Sequence, residues 1–188
     1  MIRTLLCSLA LLAATAHADQ PFEKPAKAST ADALQFPRIK SAGGVHALQG
    51  DVDMPTASAM HRVVIDATAG DTTDTGINRR LDAAARAVNL YALAGVPADK
   101  LSVAVVIHGK ATPVILSDAS FQSHFGKANP NAALIADLRA AGVEIFVCGQ
   151  ALRHGGYTAT DVRKDVHVAL SAMTKLVDLQ AAGYGLIP

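Results

Sequence analysis

The chain has 188 residues, of which 17 are Lys or Arg, 16 are Asp or Glu and 4% are aromatic. This length and a hydrophobic content of 51% suit one domain with a sizeable core. Because the charge is balanced and the basic residues form no cluster, neither nucleic acid nor an anionic membrane is expected as the main partner. Small molecules and proteins remain as the expected partner classes.

Residues 1–18 have the pattern of a secretory signal peptide. Arg3 supplies positive charge, Leu5 to Ala14 form an apolar core, and Ala16-His17-Ala18 is a small-x-small cleavage site. The apolar run is too short for a membrane span, which needs about 20 residues, and no later stretch is long enough. We therefore expect a periplasmic protein whose mature form begins at Asp19, with 16 basic and 16 acidic residues.

Residues 19–60 are expected to form an extended N-terminal arm. They are rich in Pro, Ala, Ser, Gly and Asp and lack sustained helical or strand periodicity. Two short apolar groups, Phe36 to Ile39 and Val45 to Leu48, could hold the arm to the domain or to a neighbouring subunit. The α/β domain is then expected to span residues 61–188.

From residue 61 onward, short apolar strands alternate with helical patterns. The predicted strands are Val63–Ile65, Leu101–Ile107, Val143–Cys148, Val166–Leu170 and Tyr184–Ile187. This alternation predicts a three-layer α/β fold with a mainly parallel sheet of about five strands and helices on both faces. In such a sheet, ligands bind outside the carboxyl ends of the strands.

Helical periodicity predicts three main helices between these strands. Their apolar faces run from Ile77 to Ala92, from Leu134 to Ala141 and from Met173 to Gln180. Asp74 or Thr75 is expected to cap the first helix, and Asn129-Pro130 to start the second. A short strand or loop and one helical turn are expected between residues 111 and 127. The predicted polar face of the first helix consists of Asn78, Asp82, Arg86 and Asn89.

Cysteine usage is unusual for an exported chain. Cys7 lies in the predicted signal peptide, so the mature protein retains only Cys148 and no intramolecular disulfide can form. The thiol is therefore buried and inert, paired with another chain, or used for chemistry. Because Cys148, His108 and Asp66 each end a predicted strand, we expect all three at one edge of the sheet.

These strand ends could form a nucleophile, a base and an orienting group. Backbone N–H groups in the turn at Gly149 would stabilise a Cys148 thiolate. His108 could hold or accept the thiol proton, and Asp66 could orient the histidine. Each of these two residues also has a structural alternative, because His108 could bond nearby backbone and Asp66 could cap a turn.

Metal binding is the main rival interpretation, since Cys148 and His154 are close in sequence. Structural zinc normally needs four ligands in recognisable spacings, and the sequence has no Cys-x2-Cys or His-x3-His pair. Gly-rich nucleotide loops and a Walker lysine motif are absent too. We therefore expect neither a metal nor another cofactor, and Arg153 or His154 could instead replace His108 beside the thiol.

Several runs of the sequence resemble the DsrE/DsrF-like sulfur-relay family, and especially its exported branch. The likeness extends from Phe36 to Pro188. Its most specific parts are Val-Val-Ile-His-Gly at 105–109, Ala-Gly-Val-Glu-Ile-Phe-Val-Cys-Gly-Gln-Ala-Leu at 141–152 and Leu-Gln-Ala-Ala-Gly-Tyr at 179–184. Weaker matches are Ala-Val-Asn at 87–89 and Phe-Pro-Arg-Ile at 36–39, followed by Gly44-Val45.

The resemblance implies a parallel α/β subunit that forms trimers or hexamers and carries sulfur as a persulfide on Cys148. His108 and Asn89 match the family's strand-end histidine and helix asparagine, both expected near the cysteine. Asp66, Gly109 and Gly149 complete the expected binding residues. The implied role is that of a sulfur carrier or sulfurtransferase that exchanges sulfur with a protein or a small thiol.

Export is a departure from the well-known members of this family, which act in the cytoplasm. The relay partners of an exported chain would therefore differ from theirs. The alternative function is that of a non-catalytic oligomeric module, in which the same cleft binds a small ligand or a protein segment and Cys148 is merely packed.

Overall fold

The computed structural model describes residues 33–188, so the predicted signal peptide and the beginning of the predicted arm lie outside the described residues. The sheet has five strands in the order β4-β3-β2-β1-β5, and all neighbouring strands are parallel. The strands are β1 His61–Ala67, β2 Leu101–Ile107, β3 Glu144–Cys148, β4 His167–Ala169 and β5 Gly185–Ile187. The predicted parallel α/β fold of five strands is confirmed.

Five α-helices accompany the sheet in residues 33–188: α1 Arg79–Leu93, α2 Asp118–Phe125, α3 Ala132–Ala140, α4 Gly149–His154 and α5 Ala172–Ala181. Short 3-10 segments cover Ala98–Lys100, Gly109–Ile115 and Ala159–Asp161. No helix within this described range is long and apolar enough to cross a membrane.

The two faces of the sheet belong to separate cores, because alternate residues of a strand point to opposite sides. On one face, Ile65 packs in a cluster with Leu81 of α1 and Leu138 of α3. On the other face, Val64 packs in a cluster with Leu179 of α5. Burial on both faces explains why the strands are apolar nearly throughout.

The first helix begins later than predicted. α1 starts at Arg79, and its cap is Asn78, whose Oδ1 accepts hydrogen bonds of 2.9 and 3.4 Å from the second and third N–H groups beyond it. The predicted caps, Asp74 and Thr75, lie in the preceding loop. Asn78 and Asn89 are 1% and 0% exposed, so the predicted polar face of this helix is buried at these two positions. Other segments of the chain cover both side chains.

Two further boundaries differ from the prediction. The expected strand or loop after β2 is the 3-10 segment Gly109–Ile115, and the expected helical turn extends into the eight residues of α2. Helix α3 is preceded by Asn131 at its N-cap position rather than by Asn129. The amide of Asn129 instead donates 2.8 and 3.0 Å hydrogen bonds to the carbonyl oxygens of Val114 and Leu116.

Part of the arm is fixed to α1 by hydrogen bonds to side chains of the helix, and most of these bonds are made by Asn89. Asn89 Oδ1 accepts hydrogen bonds from the N–H groups of Arg38 and Ile39, at 2.9 and 2.8 Å. Its Nδ2 donates to the carbonyl oxygens of Ile39, Ala42 and Gly43, at 3.0, 3.3 and 3.0 Å. Gly43 has φ +68°, and a Cβ there would lie 2.2 Å from a backbone nitrogen of α1. We call this contact the arm clamp.

Candidate functional site

The structure brings three of the predicted site residues together at the carboxyl edge of the sheet. Asp66 lies in β1, His108 directly follows β2, and Cys148 ends β3. Ile107 pairs with Val147, and His108 continues in an extended conformation with φ −157°. His108 and Cys148 are therefore level on neighbouring strands about 5 Å apart, and alternation places all three side chains on the α5 face. We call this group the strand-end site.

His108 is paired with Asp66 at this edge. His108 Nε2 lies 2.7 Å from Asp66 Oδ1, and the two side chains are 27% and 26% exposed. The backbone N–H of His108 donates to the carbonyl oxygen of Ala67 at 2.9 Å, which extends the parallel ladder. When Nε2 donates its proton to the carboxylate, Nδ1 is the ring nitrogen that can accept another proton. The pair therefore has the parts of an oriented base.

Cys148 lies between the sheet and helix α5. It is 6% exposed and packs in a cluster with Val106 and Ala172. Its Sγ accepts a 3.4 Å hydrogen bond from the N–H of Ala151 and thereby caps α4. The backbone donor predicted in a turn after the strand is thus supplied by a six-residue helix.

The two glycines that follow the strand ends allow close backbone approach. A Cβ on Gly149 would lie 2.9 Å from the carbonyl oxygen of Ala169 in β4. Gly109 has φ +56°, and a Cβ there would lie 3.1 Å from the carbonyl oxygen of Thr68. Both glycines therefore set the positions of the strand-end loops through packing.

The sheet topology places Cys148 where successive connections change sides. The link from β3 to β4 packs on the α1 face through Leu152 and Val162, whereas the link from β4 to β5 runs through α5 on the other face. The carboxyl ends of β3 and β4 thus form the topological switch point, and there Cys148 pairs with Ala169. In parallel α/β sheets, this crevice is where ligands bind.

Asn89, which the resemblance places near the cysteine, is elsewhere in this chain. It lies on α1, on the opposite side of the sheet from the cluster that contains Cys148. Its amide oxygen and nitrogen are bonded to the arm. Within one subunit, Asn89 therefore holds the arm and does not face the thiol.

Sequence reasoning missed a buried asparagine network beneath the strand-end loops. The N–H of Asn78 donates to Asn131 Oδ1 at 2.8 Å, and the N–H of Asn131 donates to Asn129 Oδ1 at 2.9 Å. Asn78 Nδ2 donates to the carbonyl oxygen of Ala69, in the loop after β1. These bonds link that loop to the starts of α1 and α3. The signal available in the sequence was the presence of asparagine at helix starts.

The part of the chain that the structure describes contains no cluster of side chains that would support metal binding. No group of three or more His, Cys, Asp or Glu side chains in residues 33–188 could hold a metal ion. Arg153 and His154, the alternative partners for the thiol, are exposed on α4. His108, at the end of the neighbouring strand, is level with Cys148, and it is therefore a better placed partner for the thiol than either residue of α4.

Comparison with known proteins identifies the family. The sequence profile of the DsrE/DsrF-like family matches residues 60–188. The chain belongs to this family. No curated protein matches it significantly. The matched range of this DsrE/DsrF-like protein includes the strand-end site and excludes the arm residues held by the arm clamp.

Two solved structures are similar to this DsrE/DsrF-like protein. The protein of unknown function MTH1491 from Methanobacterium thermoautotrophicum has a TM-score of 0.53 and 22% identity, covering 68% of this chain and 97% of that chain. The ychN protein from E. coli has a TM-score of 0.49 and 16% identity, with coverage of 68% and 97%. The first likeness shows that the two proteins share a fold.

Proposed function

We propose that this DsrE/DsrF-like protein is a thiol-based sulfur carrier, in which Cys148 accepts sulfane sulfur as a persulfide. Family membership suggests a role in sulfur relay. The observation that carries the proposal is the position of Cys148 at the switch point, with its sulfur bonded to the Ala151 N–H. A cysteine at a ligand-binding crevice, with a backbone N–H directed at its sulfur, supplies the nucleophile that sulfur transfer needs.

His108 and Asp66 supply the proton handling in this proposal. Asp66 holds Nε2 of the imidazole, which leaves Nδ1 to take the thiol proton as Cys148 becomes a thiolate. The persulfide then passes its outer sulfur to an acceptor thiol. In that step, the released Cys148 thiolate is again stabilised by the Ala151 N–H.

A second function is supported by the burial of the thiol. Cys148 is 6% exposed, which also suits a packed side chain in an oligomeric module that binds a small ligand or a protein segment without catalysis. In that version the crevice at the strand ends remains the binding site, but sulfur never becomes covalently attached.

Intact-mass measurement separates the two functions. The purified mature protein is incubated with polysulfide and weighed, and the carrier is expected to gain one sulfur atom that Cys148→Ser does not gain. His108→Gln is the matched test of proton handling and should slow the gain without abolishing it. Absence of an adduct, together with a folded-state thiol that does not react with iodoacetamide, would leave the binding module as the function.

We also propose that the protein assembles as a homo-oligomer and acts in the periplasm after loss of its signal peptide. Support for assembly comes from three exposed apolar side chains at and just before α5: Leu170, Met173 and Val177 are 74%, 78% and 65% exposed. Such a stripe favours burial against another subunit. Met173→Glu is expected to lower the mass measured by light scattering, whereas an unchanged mass would exclude this stripe from the interface.

A further inference from the structure

Helix α1 carries a second apolar stripe beside the one that packs on the sheet. The sheet-facing stripe includes Leu81 and Val88, which are buried in the core. The second stripe has the i, i+3, i+4, i+7 spacing of one helix face. It consists of Ala87, Leu90, Tyr91 and Ala94. Leu90 is 49% exposed, so the fold leaves this stripe only partly covered.

A cavity of about 630 Å³ lies against this second stripe. Much of its remaining lining comes from arm residues 46–55, which we call the arm wall, and Ile187 of β5 also lines it. Leu48 and Met54 of the arm wall are 70% and 50% exposed. Large apolar side chains from three parts of the chain thus collect around one cavity while remaining open to solvent.

The arm wall is fixed at both ends. Val45, just before it, is buried and exchanges backbone hydrogen bonds of 2.7 and 3.0 Å with Gln35. Just after it, the carbonyl oxygen of Thr56 lies 2.9 Å from Nε2 of His61, at the start of β1. The ring of His61 packs against Tyr91 of the stripe, with the ring centroids 4.7 Å apart. The cavity therefore has two walls that the fold itself holds in place.

The charge beside the cavity is negative. Asp53 lines the cavity, and Asp51 lies two residues earlier in the arm wall. None of the described residues that line the cavity is Lys or Arg. His46 also lines it, and histidine side chains are ordinarily neutral at pH 8. A cationic ligand therefore complements this charge, whereas a carboxylate ligand is repelled.

The size and lining of the cavity are those of a small-molecule site. Such sites have volumes of roughly 300–1,000 Å³ and are lined mainly by apolar side chains, with a few polar groups. This cavity has both properties. It lies against α1, whereas Cys148 belongs to the cluster on the other face of the sheet. It is therefore separate from the strand-end site.

We propose that this cavity binds a lipophilic organic cation, with the apolar body of the ligand on the second stripe of α1 and its cationic group beside Asp53. The inference goes beyond the proposed sulfur-carrier function and does not depend on it. Burial of Leu48, Leu90 and Met54 against the ligand supplies affinity. Attraction to the carboxylate supplies selection of a cation over neutral and anionic compounds of the same length.

Three ligands with the same decyl chain test the two contributions. Decyltrimethylammonium, decanol and decanoate are each titrated calorimetrically into the purified mature protein, at pH 8 and low salt and below the concentration at which micelles form. One unit charge about 6 Å away in water changes a binding constant about threefold. The cation should therefore bind about threefold more tightly than decanol and about tenfold more tightly than decanoate.

Two substitutions, each with a matched control, assign the binding to this cavity. Asp53→Asn should weaken binding of the cation about threefold and leave decanol unchanged, whereas Asp178→Asn, an exposed acid of α5, should change neither. Leu90→Gln should weaken all three ligands about fivefold, because about half of a leucine side chain is no longer buried by them. Val177→Gln changes an exposed apolar residue outside the cavity and should have no effect.

Several results would overturn the inference. One is absence of binding by all three compounds, and another is equal affinity for the cation and decanoate. A Leu90→Gln variant that binds like Val177→Gln would place the ligands elsewhere. If the wild type binds no decyl compound and Leu90→Gln lowers the mass measured by light scattering, the cavity is instead a contact between two copies of the chain. Sulfur transfer to Cys148 is tested separately by intact mass and is unaffected by any of these outcomes.

Discussion

Replacing Asn89 with alanine tests the arm clamp. The change removes a fully buried amide that makes five hydrogen bonds to the backbone of arm residues 38–43. Two N–H groups and three carbonyl oxygens of the arm then lose their partner. These groups must either stay buried without hydrogen bonds or move into water by detaching the arm from α1.

Both responses are costly, and the cheaper one sets the loss of stability. Hydrogen bonds contribute about 0.5–1.5 kcal/mol each, so losing five while the arm stays in place costs about 2.5–7.5 kcal/mol. Detaching the arm exposes Ile39 and Val45, which are 2% and 4% exposed in the fold, and each buried side chain of this kind is worth about 1.5–3 kcal/mol. We expect Asn89→Ala to lower the free energy of unfolding by about 3 kcal/mol.

Urea denaturation measures this loss. With an m-value of about 2 kcal/mol/M, the midpoint should fall by about 1.5 M. Arg86→Ala is the matched control on the same helix, since its ion pair with Asp82 is exposed on the arginine side and such pairs contribute about 0.5 kcal/mol or less. Hydrogen exchange should show that the N–H groups of Arg38 and Ile39 lose protection.

The reasoning on the arm clamp would be refuted if Asn89→Ala lost less than about 1 kcal/mol and kept the exchange protection of Ile39. The alkylation rate of Cys148 gives a separate readout. It should remain within about twofold of wild type, because Asn89 lies on the other side of the sheet. A large decrease would return Asn89 to the role that the family resemblance implies.

Two other substitutions test packing and charge near the sheet. Gly149→Ala places a Cβ 2.9 Å from a backbone oxygen of β4 and should cost about 1–3 kcal/mol in urea denaturation; Gly185→Ala, whose nearest atom would be 3.7 Å away, should cost less. Hydrogen bonds from Arg163 lower the pKa of Asp165 below its ordinary value of 3.8. Partial burial of the carboxyl group raises this pKa, and the positive charge of Arg163 lowers it further. Because the pKa is lower in the folded state, the ionised carboxylate stabilises the fold above pH 3.8. This stabilisation is lost as the pH falls through the lowered pKa. Asp165→Asn should therefore cost less than about 1 kcal/mol at pH 7 and approach no cost in strong acid, and an equal cost at both pH values would contradict the pairing.

The strand positions and the strand-end site followed from local patterns. Apolar runs of strand length, such as Leu101–Ile107, are typical of a sheet that is buried on both faces. Because parallel strands end at one edge, Asp66, His108 and Cys148 could be grouped before any coordinates were known. The pairing of His108 with Asp66 rather than with backbone depends on strand register, which no local pattern specifies.

The role of Asn89 could not be predicted from its helix. At its position on α1, an asparagine has the periodicity of an exposed polar residue, and the hydrogen bonds that bury it involve residues 46–51 positions earlier in the chain. Helix α4 was predicted only as a turn at Gly149. It begins at Gly149, a poor helix former, and has six residues, which is too short for a 3.6-residue periodicity to be recognised.

The pairing of β1 with β5 has a consequence for the order of folding. Synthesis proceeds from the N-terminus, so β1 is complete long before Gly185–Ile187 emerges to cover its second edge. During that interval, Val63–Ile65 offers unpaired backbone groups within an apolar β-branched run, which is a template for pairing between nascent chains. Addition of β5 to the sheet is therefore a late event. Whether a chain completes its sheet or aggregates depends on the concentration of chains whose β1 edge is still unpaired, rather than on the stability of the finished fold.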